Sequence, residues 1–387
     1  MFAGSCGEEG PLETEYWTDS GYAAWDAGTA GTGAWVKGRW EQGSNYPWPD
    51  LREAAKAPPL PDGARLFGSG RIALGELLDW GIRSRGWHRL WVPSYYCEDV
   101  GQSLRRSRVQ IGRYPCGPAG EVTLPAWSDG DVLLRVGYFG WGLVPLAEAW
   151  PGEVIEDHTH DPFGAVNPEA DFVFASLRKT LPVPDGAVCW SPRGLELPEE
   201  PAMSPEHEHA VLQRMAAMAL KRHYLLGGAV GKAIYRELEM EAEHDFLEGV
   251  SAPMSEISRV MLQHLPVAAA RAARGTNFAA FREAMAGDPN LTVLGPVRQE
   301  APAVAVVRIR EAGRRDVLRT RLADEGIYTA VLWPVPEDGA PWHRPQDADF
   351  AGSTLAVHVD FRYRPEDLER VAERMRSLSR SLLGATG

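Results

Sequence analysis

Cysteine is scarce in this chain: Cys6, Cys97, Cys116 and Cys189 are the four present, and no C-x-x-C spacing joins any two of them. The scarcity excludes a disulfide framework and a cysteine zinc site, and it suits a reducing compartment. Uncharged apolar runs long enough to span a bilayer are missing too, so no transmembrane helix is expected. Residues 1–9 lack the basic and apolar regions of a secretory signal. A basic excess is also absent: 53 acids oppose 40 bases, for a formal net charge of -13. An acidic surface argues against a nucleic-acid partner, while leaving room for one locally held phosphate. No internal repeat or low-complexity tract occurs. The expectation is a cytoplasmic protein with neither a membrane nor a nucleic acid as partner.

What is present is ordinary globular material, 44% hydrophobic and 24% charged, and 387 residues exceed what one core usually holds. Residues 1–60 read as an N-terminal arm carrying Tyr16, Trp17, Tyr22, Trp25, Trp35, Trp40, Tyr46 and Trp48. A disordered tail would be poor in such rings. They are expected to pack on the body or on a second subunit, with a carbohydrate platform as the other use. From Leu66 to about Trp190 strands and helices alternate, which predicts a three-layer α/β architecture around a mostly parallel sheet. Past Pro201 the spacing turns helical over 209–226 and 229–247, then over 257–286 as one long helix kinked at Pro266. Strands at 303–309 and 354–359 and helices at 314–325 and 365–382 make a smaller C-terminal α/β domain. The chain so divides into the arm 1–60, a large domain 61–256 and a small domain 257–387.

The chemistry gathers around residues 171–187. Phe172 to Ala175 is an apolar run that ends in Ser176, Arg178 and Lys179, and Pro182, Pro184 and Gly186 force a turn before the next run, Ala187 to Trp190. Lys179 thus sits at a strand end, where a deprotonated amine can form a Schiff base. Upstream, a short strand from Glu153 opens into Glu156, Asp157, His158 and His160. Two adjacent parallel strands ending in Asp157 and Lys179 would place a carboxylate and an amine in one crevice, where open α/β sheets bind ligands. Ser69 and Gly70 precede a helical pattern from Ile72 to Trp80. A helix opening there offers free N–H groups to a phosphate, with Arg71 as a partner, or it is a plain N-cap. His158-x-His160 also has metal-ligand spacing, but a metal would leave Lys179 and the Ser69 turn unexplained. His207 and His209, among acids and prolines, read as surface residues.

These stretches, in this order, resemble the DegT/DnrJ/EryC1/StrS aminotransferase-like family of fold type I pyridoxal-phosphate enzymes. Phe67 to Leu74 is similar to the family's S-G-T-x-A-L turn, Trp91 to Cys97 to its V-P-x-x-T-x segment, and Val154 to His160 to E-D-x-A-x. Phe174 to Ala187 is similar to S-x-x-K with its following turn, while Met254 to Ile257 and Val359 to Tyr363 resemble R-M-s-x-l and V-D-Q-R-Y. The likeness covers roughly residues 60 to 375. It implies pyridoxal 5'-phosphate as cofactor, with Lys179 as the covalent anchor and general base, and Asp157 beside the ring nitrogen. It further implies His160 near the ring hydroxyl and Thr159 packed under the ring. Ser69, Gly70, Arg71 and Ser176 would form the phosphate cup, and Tyr96 or Tyr95 would stack on the ring in place of the usual aromatic, since Cys97 stands there. The activity implied is transfer of an amino group from an amino-acid donor to a keto-sugar or related small carbonyl acceptor, in a homodimer. Arg71, Cys97, and Ser251 and Pro253 in place of Asn and Arg depart from the pattern. A lyase, decarboxylase or substitution enzyme acting on an amino acid is therefore the alternative, with Arg362 as a candidate grip for a substrate carboxylate.

Overall fold

A computed structural model describes residues 39–43, 45–51, 60–104, 107–119, 122–248, 251–297, 300–335 and 343–383. Tyr16, Trp17, Tyr22, Trp25 and Trp35 of the expected arm lie outside the described residues. The first described elements are β1 (Gln42–Gly43), β2 (Arg65–Phe67), α1 (Gly70–Ser84), β3 (Arg89–Pro93), α2 (Glu98–Leu104) and β4 (Gln110–Tyr114). They are followed by β5 (Asp131–Val136), β6 (Glu153–Asp157), β7 (Phe172–Ser176) and β8 (Ala187–Trp190).

Seven of these strands form one sheet in the order β2-β8-β7-β6-β5-β3-β4. Every pairing from β7 outward to β4 is parallel, and β8 alone opposes its neighbours. The continuous apolar runs follow from this placement, because a strand covered on both faces cannot alternate. In β7, Phe172 and Phe174 enter one core with α1, while Val173 and Ala175 enter a second with Met218 and Met261. That is the expected three-layer arrangement. Helix α1 supplies its layer through Ala73, Leu74, Leu77, Leu78 and Gly81, a stripe at three- and four-residue spacing. Leu74, Leu77 and Leu78 are fully buried, each contributing about 1.5–3 kcal/mol. Gly81 is needed for contact: a Cβ there would lie 1.9 Å from the Trp87 ring.

Two long helices follow, α3 (Pro205–Leu225) and α4 (Lys232–Glu248). Ser204 caps α3 by accepting from the His207 N–H at 3.1 Å, and Pro205 occupies the first turn, where its missing N–H costs nothing. The single kinked helix expected over 257–286 is instead two, α5 (Glu256–Gln263) and α6 (Val267–Ala284). Proline has no N–H to bond backward and keeps the residue before it out of helical geometry, so Pro266 separates the helices instead of bending one.

The remaining chain contains β9 (Leu291–Val293), β10 (Val304–Ile309), α7 (Arg315–Asp324), β11 (Ile327–Tyr328), α8 (Pro345–Ser353), β12 (Thr354–His358) and α9 (Pro365–Leu383). Strands β12, β10 and β9 form an antiparallel sheet. Ala305, Val307 and Ile309 of β10 meet α6, α7 and α9 in a core of their own, while Val304 and Val306 join the core of the large sheet. The described part of the N-terminal segment lies on both the long helices, where Lys221 of α3 and Lys232 of α4 face Glu41, and this C-terminal region. Strand β1 pairs in parallel with β11, and Tyr46 stacks on Phe361 at 5.6 Å and 3°. Among the described residues no helix is long and apolar enough to cross a membrane.

Candidate active site

Strands β6 and β7 are adjacent and parallel, in register from Ile155 with Phe172 to Asp157 with Phe174. Asp157 closes β6, and one tight turn, Leu177–Lys179, follows β7. Carboxylate and amine therefore reach the same end of the sheet, and both line a cavity of about 250 Å³. All nine residues picked from the sequence border this cavity: Ser69, Gly70, Arg71, Tyr96, Asp157, Thr159, His160, Ser176 and Lys179.

Asp157 is buried and held on both oxygens. Oδ1 accepts from the Thr159 N–H at 2.9 Å, and Oδ2 accepts from the Tyr96 hydroxyl at 2.6 Å. Tyr96 is thus tied to Asp157 and meets Trp333 edge-on at 5.7 Å and 75°. Burial first, and the Asp157 charge second, push the Tyr96 phenol well above its ordinary range, so it stays a donor. Thr159 links the two strand ends, its Oγ1 accepting from the Ser176 N–H at 3.1 Å.

His160 Nδ1 accepts from the Phe139 N–H at 2.9 Å. Burial lowers the His160 pKa, so the ring is neutral and carries its hydrogen on Nε2. Phe139 reaches this position with φ at +56°, a left-handed conformation unusual for a side-chain-bearing residue and the kind of strain found at functional sites.

Ser69 caps α1, its Oγ accepting from the Ile72 N–H at 3.2 Å. The first turn of α1 holds no acid, so its positive end is uncompensated. Gly70 lets the helix start against β7, because a Cβ there would lie 3.2 Å from the Cβ of Ser176. Arg71 donates to the Phe246 carbonyl at 3.2 Å and approaches Glu243 at 3.9 Å, while its Nε is buried without a partner.

The neighbour of Lys179 decides its basicity. Arg178 forms a two-pronged pair with Glu243 of α4, at 2.6 and 2.7 Å, and its guanidinium lies over the Phe246 ring. Burial would raise the Glu243 carboxyl, but Arg178, Lys179 and Arg214 together outweigh it and hold the group well below the usual carboxylate range. The positive charge of Arg178, and then burial, draw the Lys179 amine down to about 8. Lys179 is nonetheless exposed, because it opens into the cavity. Near neutrality a useful fraction of it is the free amine, the nucleophilic form.

The turn behind Lys179 is braced by Asp185, which is fully buried. Its Oδ1 accepts from Ser255 Oγ at 2.6 Å and from Ser258 Oγ, and its Oδ2 accepts from the Ser255 N–H at 3.0 Å. His207 Nε2 completes the set, 2.9 Å from Oδ2. This corrects the expectation that His207 lies on the surface: it is 2% exposed, although His209 is exposed. Gly186, at φ +123°, closes the turn where a Cβ would meet Met254 at 2.7 Å.

Arg362 lies elsewhere. It is buried in a two-pronged pair with Asp360, both contacts at 2.8 Å, with its guanidinium over Tyr46. Ser251 bonds Glu76, and Pro253 bridges to Phe67. His158 bonds Glu156 at 2.9 Å and packs toward Trp190, while His160 faces the cavity, so the two imidazoles engage different partners. Among the described residues no group of three or more His, Cys, Asp or Glu is placed to hold a metal ion. Sequence reasoning passed over Glu243, Leu332 and Trp333, which carry no local motif.

No protein-family profile matches the sequence, and no curated protein matches it significantly. Solved structures do match in shape. DesI, crystallised with its TDP-sugar product, is 17% identical over 83% of this chain and 82% of its own, with a TM-score of 0.55. The sugar aminotransferase CalS13 from Micromonospora echinospora is 14% identical over 81% and 87%, with a TM-score of 0.51. The E. coli GDP-4-keto-6-deoxy-D-mannose-3-dehydratase, solved with bound hydrated pyridoxal phosphate, is 12% identical over 81% and 86%, with a TM-score of 0.52. At such identities the likeness is one of fold, and the mixed α/β fold with its mostly parallel central sheet is the one these three share.

Proposed function

We propose that this chain is a cytoplasmic, homodimeric pyridoxal-phosphate aminotransferase of the DegT/DnrJ/EryC1/StrS kind. It would pass an amino group from an amino-acid donor to a keto-sugar or related small carbonyl acceptor. The observation that carries the reading is the pairing of Lys179, its amine drawn down to about 8, with Asp157 at the ends of adjacent parallel strands over one cavity. The shared fold supports it, since neighbours of that fold are sugar aminotransferases or hold pyridoxal phosphate.

The residues present fit the cofactor. Gly70 leaves open the space beside Ser176 that a Cβ would crowd, and the buried Arg71 Nε lacks a partner that a phosphate oxygen could supply. Asp157, fixed by Tyr96 and Thr159, is a carboxylate of the type that keeps a ring nitrogen protonated. When bound, pyridoxal phosphate supplies an electron sink for the carbon that loses a proton. Lys179 would hold the cofactor covalently and, once released, move the proton at the donor's Cα. His160 would present Nε2–H to the ring hydroxyl, Thr159 would pack beneath the ring, and Ser69, Gly70, Arg71 and Ser176 would bind the phosphate. In this reading residues 1–60 form an arm, 61–256 the cofactor domain and 257–387 a smaller domain.

A second reading is a lyase, decarboxylase or substitution enzyme acting on an amino acid; a dehydratase of the same fold supports chemistry other than transamination, although that neighbour is named for a GDP-keto-sugar. One preparation separates the cases. Borohydride should fix the cofactor to the peptide containing Lys179, and its appearance on another lysine would overturn the proposal. In an unreduced portion of the same preparation, glutamate alone should bleach the yellow band of a transaminase in one turnover. Persistent colour with catalytic consumption of one amino acid favours the lyase. Light scattering that gave a fully active single chain would remove the dimer.

A further inference from the structure

The catalytic candidates all lie between residues 69 and 179, and every other cavity-lining residue does too, with two exceptions. Leu332 and Trp333 come from the C-terminal region and line the same cavity. Trp333 stacks on His160 at 5.7 Å and 20°, and meets Tyr95 at 5.6 Å and Tyr96 at 5.7 Å. Its backbone is pinned as well: the Tyr95 hydroxyl accepts from the Trp333 N–H at 2.8 Å and donates to the Leu332 carbonyl. Tyr95 is itself 1% exposed, packed against Tyr138 and Phe350. Shifting Trp333 would break several ring contacts worth about 0.5–1.5 kcal/mol each, so the indole is a fixed boundary.

The space it bounds is small. About 250 Å³ falls below the roughly 300–1,000 Å³ that holds a drug-sized ligand. We propose that Trp333, pinned by Tyr95, is the specificity wall that limits how bulky a compound can bring its carbonyl to Lys179. The inference rests on the reading of Lys179 as the reacting amine. It adds that the body of the reacting compound must be slim where it passes the indole, and that any larger substituent must extend away from it.

The test uses full-length protein cleared of bound carbonyl compounds with hydroxylamine. Benzaldehyde and 2-naphthaldehyde are each offered with cyanoborohydride at pH 8. The amine condenses with loss of water, and hydride from the reagent reduces the resulting double bond, leaving a stable secondary amine that peptide mass spectrometry locates. Rates are divided by those of N-α-acetyl-lysine with the same aldehyde. In the parent protein Lys179 should prefer benzaldehyde by at least about tenfold, the discrimination that pocket shape supplies. Trp333→Ala should bring the ratio close to one, and Trp333→Phe and Tyr95→Phe should fall between. A general loss of packing would slow or speed both aldehydes alike and leave the ratio unmoved. An unchanged ratio in Trp333→Ala, or in Trp333→Phe should the alanine variant not fold, overturns the wall. Failure of the functional reading is distinguishable: a size-limited Lys179 in a protein that never carries pyridoxal phosphate leaves the wall standing and removes only the cofactor.

Discussion

Among the described residues two lysines are brought down to about 8, Lys179 and Lys221, and they arrive there differently. Lys221 is 1% exposed; burial is its leading cause, and its Nζ donates to the Asn45 carbonyl at 2.8 Å and faces Glu41 at 3.5 Å. Lys179 opens into a cavity, and its leading cause is the charge of Arg178 next to it. One amine is enclosed with its partners, while the other faces space with a cation at its side. A depressed basicity accompanies function only when the group can be reached, since structural ion pairs perturb titration as well.

The largest expected effect separates the two outright. Lys179→Ala should abolish covalent cofactor attachment and turnover together, whereas Lys221→Met should retain both; cofactor found on Lys221 would invert the comparison. Next comes Asp157→Ala, which should bind cofactor weakly and lose orders of magnitude in rate, checked by absorbance titration and steady-state kinetics. Near-normal turnover there would point to another carboxylate. Third, Arg178→Met should move the pH midpoint of Lys179 labelling upward from about 8 toward the ordinary 10.5, and Glu243→Gln should move it down, because Glu243 acts in the opposite sense. Equal and same-signed shifts would contradict the assigned causes.

Lys221 makes a different prediction, about stability. Between its folded value of about 8 and the ordinary 10.5, the unfolded chain holds more protons at this site than the folded one. Stability should therefore rise with pH across that window, and urea midpoints of Lys221→Met should rise less than those of the parent. The smallest effect belongs to Ser69→Ala, which removes the α1 cap. It should cost about 1 kcal/mol in urea unfolding, and a loss several times larger would assign Ser69 a wider structural role.

The strand ends were legible because their signal is local. Phe172 to Ala175 and Val154 to Ile155 are apolar runs that break abruptly into charge, and a buried strand leaving a sheet produces that pattern. His207 was misjudged by reading its neighbours instead of its period. His207, Ala210, Val211, Arg214, Ala217, Met218 and Lys221 form one buried stripe of α3, although it starts among exposed acids. Pro266 was recognised as a disturbance, but its severity depends on whether neighbouring backbone can compensate for the lost bond. Glu243 and Trp333 could not have been found this way. Each meets the site through tertiary contact alone, about 60 and 150 residues from Lys179 in sequence, and neither stands in a pattern that distinguishes it from a solvated acid or a core ring.

The Asp185 brace also bears on when the site can come into being. Its partners His207, Ser255 and Ser258 all follow Lys179 in the chain. A ribosome adds about 5–20 residues per second, so a newly made Lys179 spends seconds on an unsecured loop before Ser258 exists. During that interval the β7–β8 turn has its glycine, its prolines and backbone hydrogen bonds such as Leu177 N–H to the Gly186 carbonyl to shape it, without the side-chain brace, and the amine has no Glu243-bound Arg178 beside it until α4 is complete. On the proposed function, cofactor capture is therefore expected late in the nascent chain, and a pulse-chase experiment on ribosome-bound lengths should find attachment only after α5 has emerged.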